Sequence, residues 1–302
     1  MMAAPHLLHY VLIILCLSLA SLSASAGDIY KHKDKNGRWV FSDKKSSSAK
    51  KLTPTVQLQK DKKTPRIKLT FIDYPDHYEL QASNPFYAPV ELTLIPDDKN
   101  HKTQTHIVPA KKTVTLISSA TKLPHYSVRT TMGDPAAKAD EYMYRIPVSS
   151  GLEHQITQAF NGQFSHTAPS NQYAVDIAMQ VGTDIVAARD GIVVDTRDGY
   201  YLSGRSHYFV DKANAVVIMH SDGTFALYAH LLQSSLVVKP GDTVTQGQKL
   251  ARSGSSGYST GPHLHFVIQK NSGSTTVSVP FVFNHNNHVF TPTEGMHFKA
   301  IR

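Results

Sequence analysis

Gly261-Pro262-His263-Leu264-His265-Phe266-Val267-Ile268 carries the pattern that decides the fold. It reads as a strand, and on a strand residues i and i+2 point to one face. His263 and His265 therefore enter one cavity, while Leu264 points to the opposite face. Histidines turned inward with nothing to bind are costly. Two on one strand face thus point to a shared metal or to proton transfer rather than to packing. The preceding Gly257-Tyr258-Ser259-Thr260-Gly261-Pro262 is a flexible loop ending in a rigid residue, which suits the rim of a cleft.

Strand signals recur on either side. Residues 184–188, 192–194 and 215–219 are apolar and β-branched, and Gly marks the turns between them at Asp190-Gly191, Asp222-Gly223 and Pro240-Gly241-Asp242. Residues 147–290 are therefore expected to form an all-β domain with short connections. Residues 66–146 repeat the pattern more loosely, with alternating runs at Val90-Glu91-Leu92-Thr93-Leu94 and Thr113-Val114-Thr115-Leu116. A small antiparallel, sandwich-like domain of about seven strands is expected there. Its histidines (His77, His101, His106 and His125) are scattered singly and read as surface or turn residues. Residues 291–302 show no clear element and read as a C-terminal tail.

The N-terminal part is different in kind. Residues 1–26 read as a signal peptide, with Leu12-Ile13-Ile14-Leu15-Cys16-Leu17 as its apolar core and Ala24-Ser25-Ala26 as the cleavage pattern. That run falls short of the roughly 20 residues that span a bilayer, so no stable membrane insertion is expected after cleavage. Ile14 and Leu15 stand where a lipidation signal wants small residues. Residues 27–43 read as a short β-hairpin module around Asn36-Gly37, a tight-turn dipeptide. It resembles a small module found on many exported Gram-negative proteins. Residues 44–65, rich in Lys, Ser, Thr and Pro, read as a basic linker.

Charge and cysteine content narrow the function classes. The formal charge is +8, but residues 27–65 hold eleven Lys and Arg against four Asp, so +7 of it lies there and +1 elsewhere. The basic segment suits a polyanion or a solvated linker, and export excludes nucleic acid as its target. The single cysteine, Cys16, leaves with the signal peptide. The mature chain can form neither an internal disulfide nor a thiolate metal site, so any metal rests on His and carboxylate.

Such residues exist at suitable places. His166 and Asp176, His230 within Tyr228-Ala229-His230, and His263 with His265 make five polar candidates. A catalytic zinc takes about three protein ligands and keeps a fourth position for water. Hydrolysis also gains from a base and an oxyanion donor, and His suits both. The inventory matches: His166, Asp176 and one of His263 and His265 as ligands, with His230 and the other histidine free for catalysis. The His-Glu-x-x-His helix of common zinc proteases is absent from the sequence.

In order, the chain reads FSHTAPSNQYAVDIAMQVGTDIVAARDGIV, VVIMHSDGTFALYAHL and VKPGDTVTQGQKLARSGSSGYSTGPHLHFVI. Over roughly residues 150–285 these blocks resemble the lysostaphin/LytM-type zinc metallopeptidases. The resemblance implies an antiparallel β-sheet domain with a groove over one catalytic Zn2+, and cleavage of peptidoglycan cross-bridges or stem peptides. It also implies roles. His166, Asp176 and His265 match the family's metal ligands, and His263 and His230 match its non-ligand catalytic histidines. Either of these last two can serve as base, the other as oxyanion donor. The nine residues between His166 and Asp176 exceed the tighter spacing seen elsewhere in the family, which bears on how substrate fits that end of the groove. The expected function is a periplasmic or secreted zinc endopeptidase of a Gram-negative envelope, with peptidoglycan as its partner. The alternatives are a non-catalytic regulator of another wall hydrolase and a wall-binding adaptor. Tyr228 and Tyr258 flank the catalytic histidines and are candidates for contact with substrate, while His220 reads as a turn residue and His207 as a surface one.

Overall fold

The structure is a computed structural model that describes residues 66–300 and, before them, the strands Ile29–Lys33, Trp39–Ser42 and Lys50–Leu52. The signal-peptide reading and the Asn36-Gly37 turn lie outside the described residues. The chain divides into two units, residues 1–64 and 65–302.

In the first unit Ile29–Lys33 is the central strand of a three-stranded sheet. Trp39–Ser42 pairs with it antiparallel, Lys33 opposite Trp39. Lys50–Leu52 pairs on its other side, which draws part of the lysine-rich stretch into a strand.

The second unit begins with two three-stranded sheets, six strands where about seven are expected. Tyr78–Ser83 lies between Lys68–Asp73 and Thr113–Ser119, and Val90–Pro96 lies between Gln104–Val108 and Tyr126–Met132. Alternating residues of the two central strands, Leu80, Ala82, Leu92 and Leu94, face inward and meet Val108 in a small core. The next strand, Met143–Arg145, belongs elsewhere. It pairs parallel with Val282–His285, and Tyr144 packs against Phe266 and Phe281. The seam between the two parts of this unit therefore falls ahead of Met143 rather than after residue 146.

The rest is built on a nine-stranded sheet and is β throughout, as expected; among the described residues the only helical turn is His207–Phe209. Its strands run in the order Thr243–Val244, Gly191–Arg197, Ala215–Met219, Phe225–Ala229, His263–Asn271, Val175–Ala178, Glu153–Gln158 and His297–Lys299, with Thr276–Ser278 beside His263–Asn271. One face is apolar. Ile177, Val216, Ile218, Tyr228, Leu264 and Phe266 lie on it and pack under Phe281 and Phe283 in a single buried cluster. Burial of this face against the smaller sheets is what holds the fold, at about 25 cal/mol per Å² of apolar surface removed from water. The reading of residues 291–302 as a tail is corrected here. His297–Lys299 closes the sheet edge against Glu153–Gln158, and Phe298 and Ala300 are buried in the same cluster. Its three residues are too short a period to stand out in sequence.

The other face carries the polar residues, and two bulges enlarge its stock. On Glu153–Gln158, Ile156 faces Ile177 on the apolar side; the register then shifts, and Gln158 comes opposite Asp176. On Gly191–Arg197, Val193 faces Ile218 on the apolar side; the register shifts again, and Arg197 comes opposite Ala215. An extra residue in a strand reverses the inside-outside alternation beyond it. Each bulge thus turns a polar side chain away from the apolar core and onto the opposite face.

Candidate metal centre

The register of the sheet sets out a single transverse row: Gln158, Asp176, His265, Ala229, Ala215 and Arg197, each opposite the next on six neighbouring strands. His263 lies two residues from His265 on the same face, opposite Ala178. Leu264 between them is fully buried in the apolar cluster, as the alternation required. His166 comes from the turn-rich loop that follows Glu153–Gln158, and its backbone N–H donates to Gly162 O.

Three of the five sequence candidates form a cluster. One donor atom from each of His166, Asp176 and His265 lies within 4.8 Å of the others. His166 Nε2 is 3.3 Å and His265 Nδ1 2.9 Å from Asp176 Oδ1. Two ligands on one tetrahedral zinc, each about 2.0–2.1 Å from it, stand about 3.4 Å apart. The His166 side chain is fully buried, and its Nδ1–H donates to Ala159 O at 2.8 Å. That bond fixes the tautomer and leaves Nε2 as a bare acceptor, and this Nε2 is buried with no hydrogen-bond partner. An orphaned buried imidazole nitrogen aimed at a carboxylate is costly by itself and is satisfied by a cation between them. The residues present therefore fit a metal ion. Burial would raise the Asp176 carboxyl, but the His265 ring, with the potential of His263, holds it well below the usual carboxylate range.

The other two candidates stand beside the cluster. His230 Nδ1–H donates to Ser256 O at 2.7 Å, and His263 Nδ1–H to Gly261 O at 2.8 Å. Both rings therefore keep Nε2 free, and their centroids are 4.6 Å apart. His263 Nε2 is 3.8 Å from Asp176 Oδ1. His230 adopts φ +63°, a left-handed backbone conformation rare for a side-chain-bearing residue, so its strand ends there and the ring swings back over the sheet. Its carbonyl accepts from Gly254 N at 3.0 Å. A Cβ on Gly254 would fall 2.7 Å from Leu232 N, so the close approach that pins His230 requires glycine. Burial, with the neighbouring His263 and His265, pushes the His230 imidazole down to about 3, which keeps it neutral.

All of this opens onto a groove of about 640 Å³ whose walls include Phe164, Tyr258 and Thr260. No residue of 66–133 lines it. The six-stranded part of the unit docks on the same sheet face but farther along, where Ala88 meets Val194 and Phe225. Among the tyrosines, Tyr258 lies in the groove and stacks on Phe164 at 6.1 Å. Tyr228 does not. It is buried on the apolar face, and its hydroxyl accepts from Ala188 N at 2.8 Å. His220 sits at a turn but is buried, with Nδ1 bonded to Asp190 O, and His207 is exposed. His77, His101, His106 and His125 all lie outside the groove.

Sequence reasoning missed Gln158. Its Nε2 donates to Asp176 Oδ2 at 2.9 Å and to Ser165 Oγ at 2.7 Å, while Oε1 accepts from the N–H groups of Phe164 and Ser165. It thus braces both the carboxylate and the loop that carries His166. Strict alternation along its strand places it with Ile156 on the apolar face, and nothing in the sequence announces the bulge.

Residues 170–277 match the family model of peptidase family M23, a span that contains Asp176, His230, His263 and His265 and begins four residues past His166. Residues 14–67 match a domain of unknown function, DUF4124. Among curated proteins, the chain is 36% identical over 129 residues to the peptidoglycan DD-endopeptidase ShyA of Vibrio cholerae, covering 41% of this chain and 26% of that one. It is 35% identical over 136 residues to lysostaphin of Staphylococcus simulans, covering 42% and 25%. The chain thus spans less than a third of the length of the curated relatives it matches. Among solved structures, the catalytic domain of the antimicrobial peptidase lysostaphin from Staphylococcus simulans is 31% identical, with 45% of this chain and 88% of that one covered and a TM-score of 0.29. The sheet that carries the His–Asp–His cluster is therefore the core of a peptidase family M23 domain, joined in this chain to an N-terminal DUF4124 module.

Proposed function

We propose that this chain is an exported zinc endopeptidase that hydrolyses peptide bonds of bacterial peptidoglycan. The observation that carries the reading is the orphaned Nε2 of His166, which meets Asp176 and His265 at the floor of an open groove with two further histidines beside them. Relatives named as peptidoglycan and glycyl-glycine endopeptidases supply the substrate class. Export rests on the apolar leader at residues 12–17 and the small-residue pattern at 24–26.

In this reading His166, Asp176 and His265 hold the zinc. Bound there, zinc supplies a Lewis acid for the scissile carbonyl and makes water acidic enough to attack near neutral pH. The protein supplies the rest. Gln158 and the Ala159 carbonyl fix the carboxylate and the first imidazole before substrate arrives. His230 and His263 both present Nε2 as an acceptor, because their Nδ1–H groups are committed to backbone carbonyls. Either ring that accepts a proton from the attacking water becomes a donor, able to stabilise the oxyanion or to protonate the leaving amine. Base and donor roles are thus divided between these two residues without a change of tautomer.

The test is a digest of purified sacculi followed by mass spectrometry of the released fragments. Fragments separated at amide bonds, lost on chelation and restored by zinc, are expected. Release of glycan fragments alone, or no release with zinc bound, defeats the reading.

A further inference from the structure

We infer that Arg197 is a specificity-determining residue of the groove, and that it binds a free carboxylate on the peptide substrate. The inference rests on the hydrolase reading only for where the scissile bond lies.

Arg197 stands at the end of the transverse row, with Ala215 and Ala229 between it and His265. Both intervening side chains are single methyl groups, so nothing on the floor separates the guanidinium from the metal cluster. Arg197 lines the groove together with Leu227, Val210 and Ala213. These walls are apolar and leave the cation as the polar feature of that end. Its place there depends on the bulge between Val193 and Asp195.

The side chain is also unsatisfied. Arg197 Nε is shielded from solvent and has no hydrogen-bond partner. Among the described residues Arg197 makes no ion pair within 4.0 Å, although Asp195 lies two residues back on the same strand face. Asp198 is engaged otherwise, its Oδ1 accepting from the N–H groups of Gly199 and Ser234. The buried Arg189, by contrast, is held by Asp222 at 2.8 Å and Asp140 at 3.1 Å, and the other orphaned arginine nitrogen, Arg145 Nε, lies outside the groove. A shielded guanidinium nitrogen without an acceptor in an apolar wall loses hydration for no return. A ligand carboxylate would restore it through two parallel N–H···O bonds, the geometry to which arginine is suited.

The reach of the site follows from the sheet. Three inter-strand steps of about 4.8 Å put the Arg197 and His265 Cα atoms about 14 Å apart, and an extended peptide rising about 3.3 Å per residue covers that in about four residues. The carboxylate recognised thus lies within about four residues of the bond that is cut. The free C-terminus of a short peptide bound along the groove is such a group.

Calorimetry on the full chain would test this with two synthetic stem-peptide dimers, one ending in a free D-alanine carboxylate and the other in its carboxamide. The wild-type chain is expected to bind the acid at least about tenfold more tightly than the amide, and Arg197→Gln to reduce that ratio to below about twofold, with Arg197→Lys between them. Equal binding of both peptides by the wild-type chain, or a ratio undiminished in Arg197→Gln, overturns the inference. Because binding is read directly, the outcome is separate from the hydrolase reading: a preserved acid preference without cleavage of either peptide defeats the hydrolase reading alone.

Discussion

Asp176 and His265 face each other across neighbouring antiparallel strands, with Asp176 Oδ1 2.9 Å from His265 Nδ1. Two of the three proposed ligands are thereby positioned by sheet register, and the third, His166, is delivered by a loop. Removing either kind of ligand should empty the site. Asp176→Ala and His166→Ala are each expected to lower bound zinc from about one per chain to below about 0.1 after dialysis, because a two-ligand remnant binds weakly. Elemental analysis checks this, and a variant that keeps full zinc removes the substituted residue from the ligand set.

Gln158 should act on the metal through Asp176. Replacing it with Leu removes the donor to Oδ2 and frees the loop segment at Phe164 and Ser165. Partners of this kind are worth about 10–100-fold in metal affinity. Competition against a chelator of known strength is expected to show a loss in that range, with the thermal midpoint of the metal-free protein little changed.

His230 should matter to turnover and not to zinc. Its ring is close to the cluster, 5.9 Å from His265 between centroids, but it lies outside the three-residue donor set. His230→Ala is expected to retain zinc and to lose about 10²–10⁴ in the rate of sacculus cleavage, the usual scale for a positioned acid or base. Undiminished cleavage by the zinc-loaded variant would remove His230 from the catalytic group.

The site was legible in sequence where it obeys the period of a strand. His263, Leu264 and His265 alternate without interruption, so their two faces followed from spacing alone. Gln158 and Arg197 were illegible for the opposite reason: each lies beyond a bulge, and a bulge is set by pairing with a neighbour rather than by the residues it displaces. Tyr228 was misleading in its own way. Two residues from His230 in sequence, it lies on the opposite face because the left-handed turn at His230 ends the alternation. The strand His297–Lys299 escaped notice because its identity depends on the edge it covers.

His220 gives the fold a dependence on pH away from the site. Burial pushes its imidazole down to about 4, despite the Asp190 carbonyl at 2.8 Å, and Arg189 nearby adds to the shift. The unfolded chain has the ordinary value of about 6.5, so lowering the pH protonates the unfolded state first. The stability from neutral His220 is complete above pH 6.5 and is lost as pH falls toward 4, by about 3 kcal/mol at most. The nearby ion pair does not share that window. Burial would raise Asp222, but the N–H groups of Asp140 and Thr224, the Thr224 hydroxyl and Arg189 hold it at about 2, so its contribution is complete above the ordinary value of 3.8 and is lost only as pH falls from there through about 2. Thermal midpoints between pH 7 and pH 4 should fall more steeply for the wild-type chain than for His220→Gln; parallel slopes would show that His220 does not carry the effect.

Glu91 should fix the six-stranded part of the unit to the M23 sheet. It is buried, and its carboxylate accepts from Asn271 Nδ2 at 2.6 Å and from Ser274 N at 2.8 Å, while Asn271 Nδ2 also donates to Gly133 O at 3.0 Å. Both ends of the contact are polar and shielded, so removing one strands the other. Glu91→Ala is expected to cost about 2–3 kcal/mol, the scale for donors left unsatisfied beside a lost charged acceptor. Asn271→Ala should cost less once Glu91 is already Ala, with a coupling above about 1 kcal/mol in the double-mutant cycle. Denaturant melts of the four proteins read that coupling. Zinc content should be unchanged throughout, since neither Glu91 nor Asn271 lines the groove. Additive losses would mean that Glu91 and Asn271 do not act as a pair in holding the two parts of the unit together.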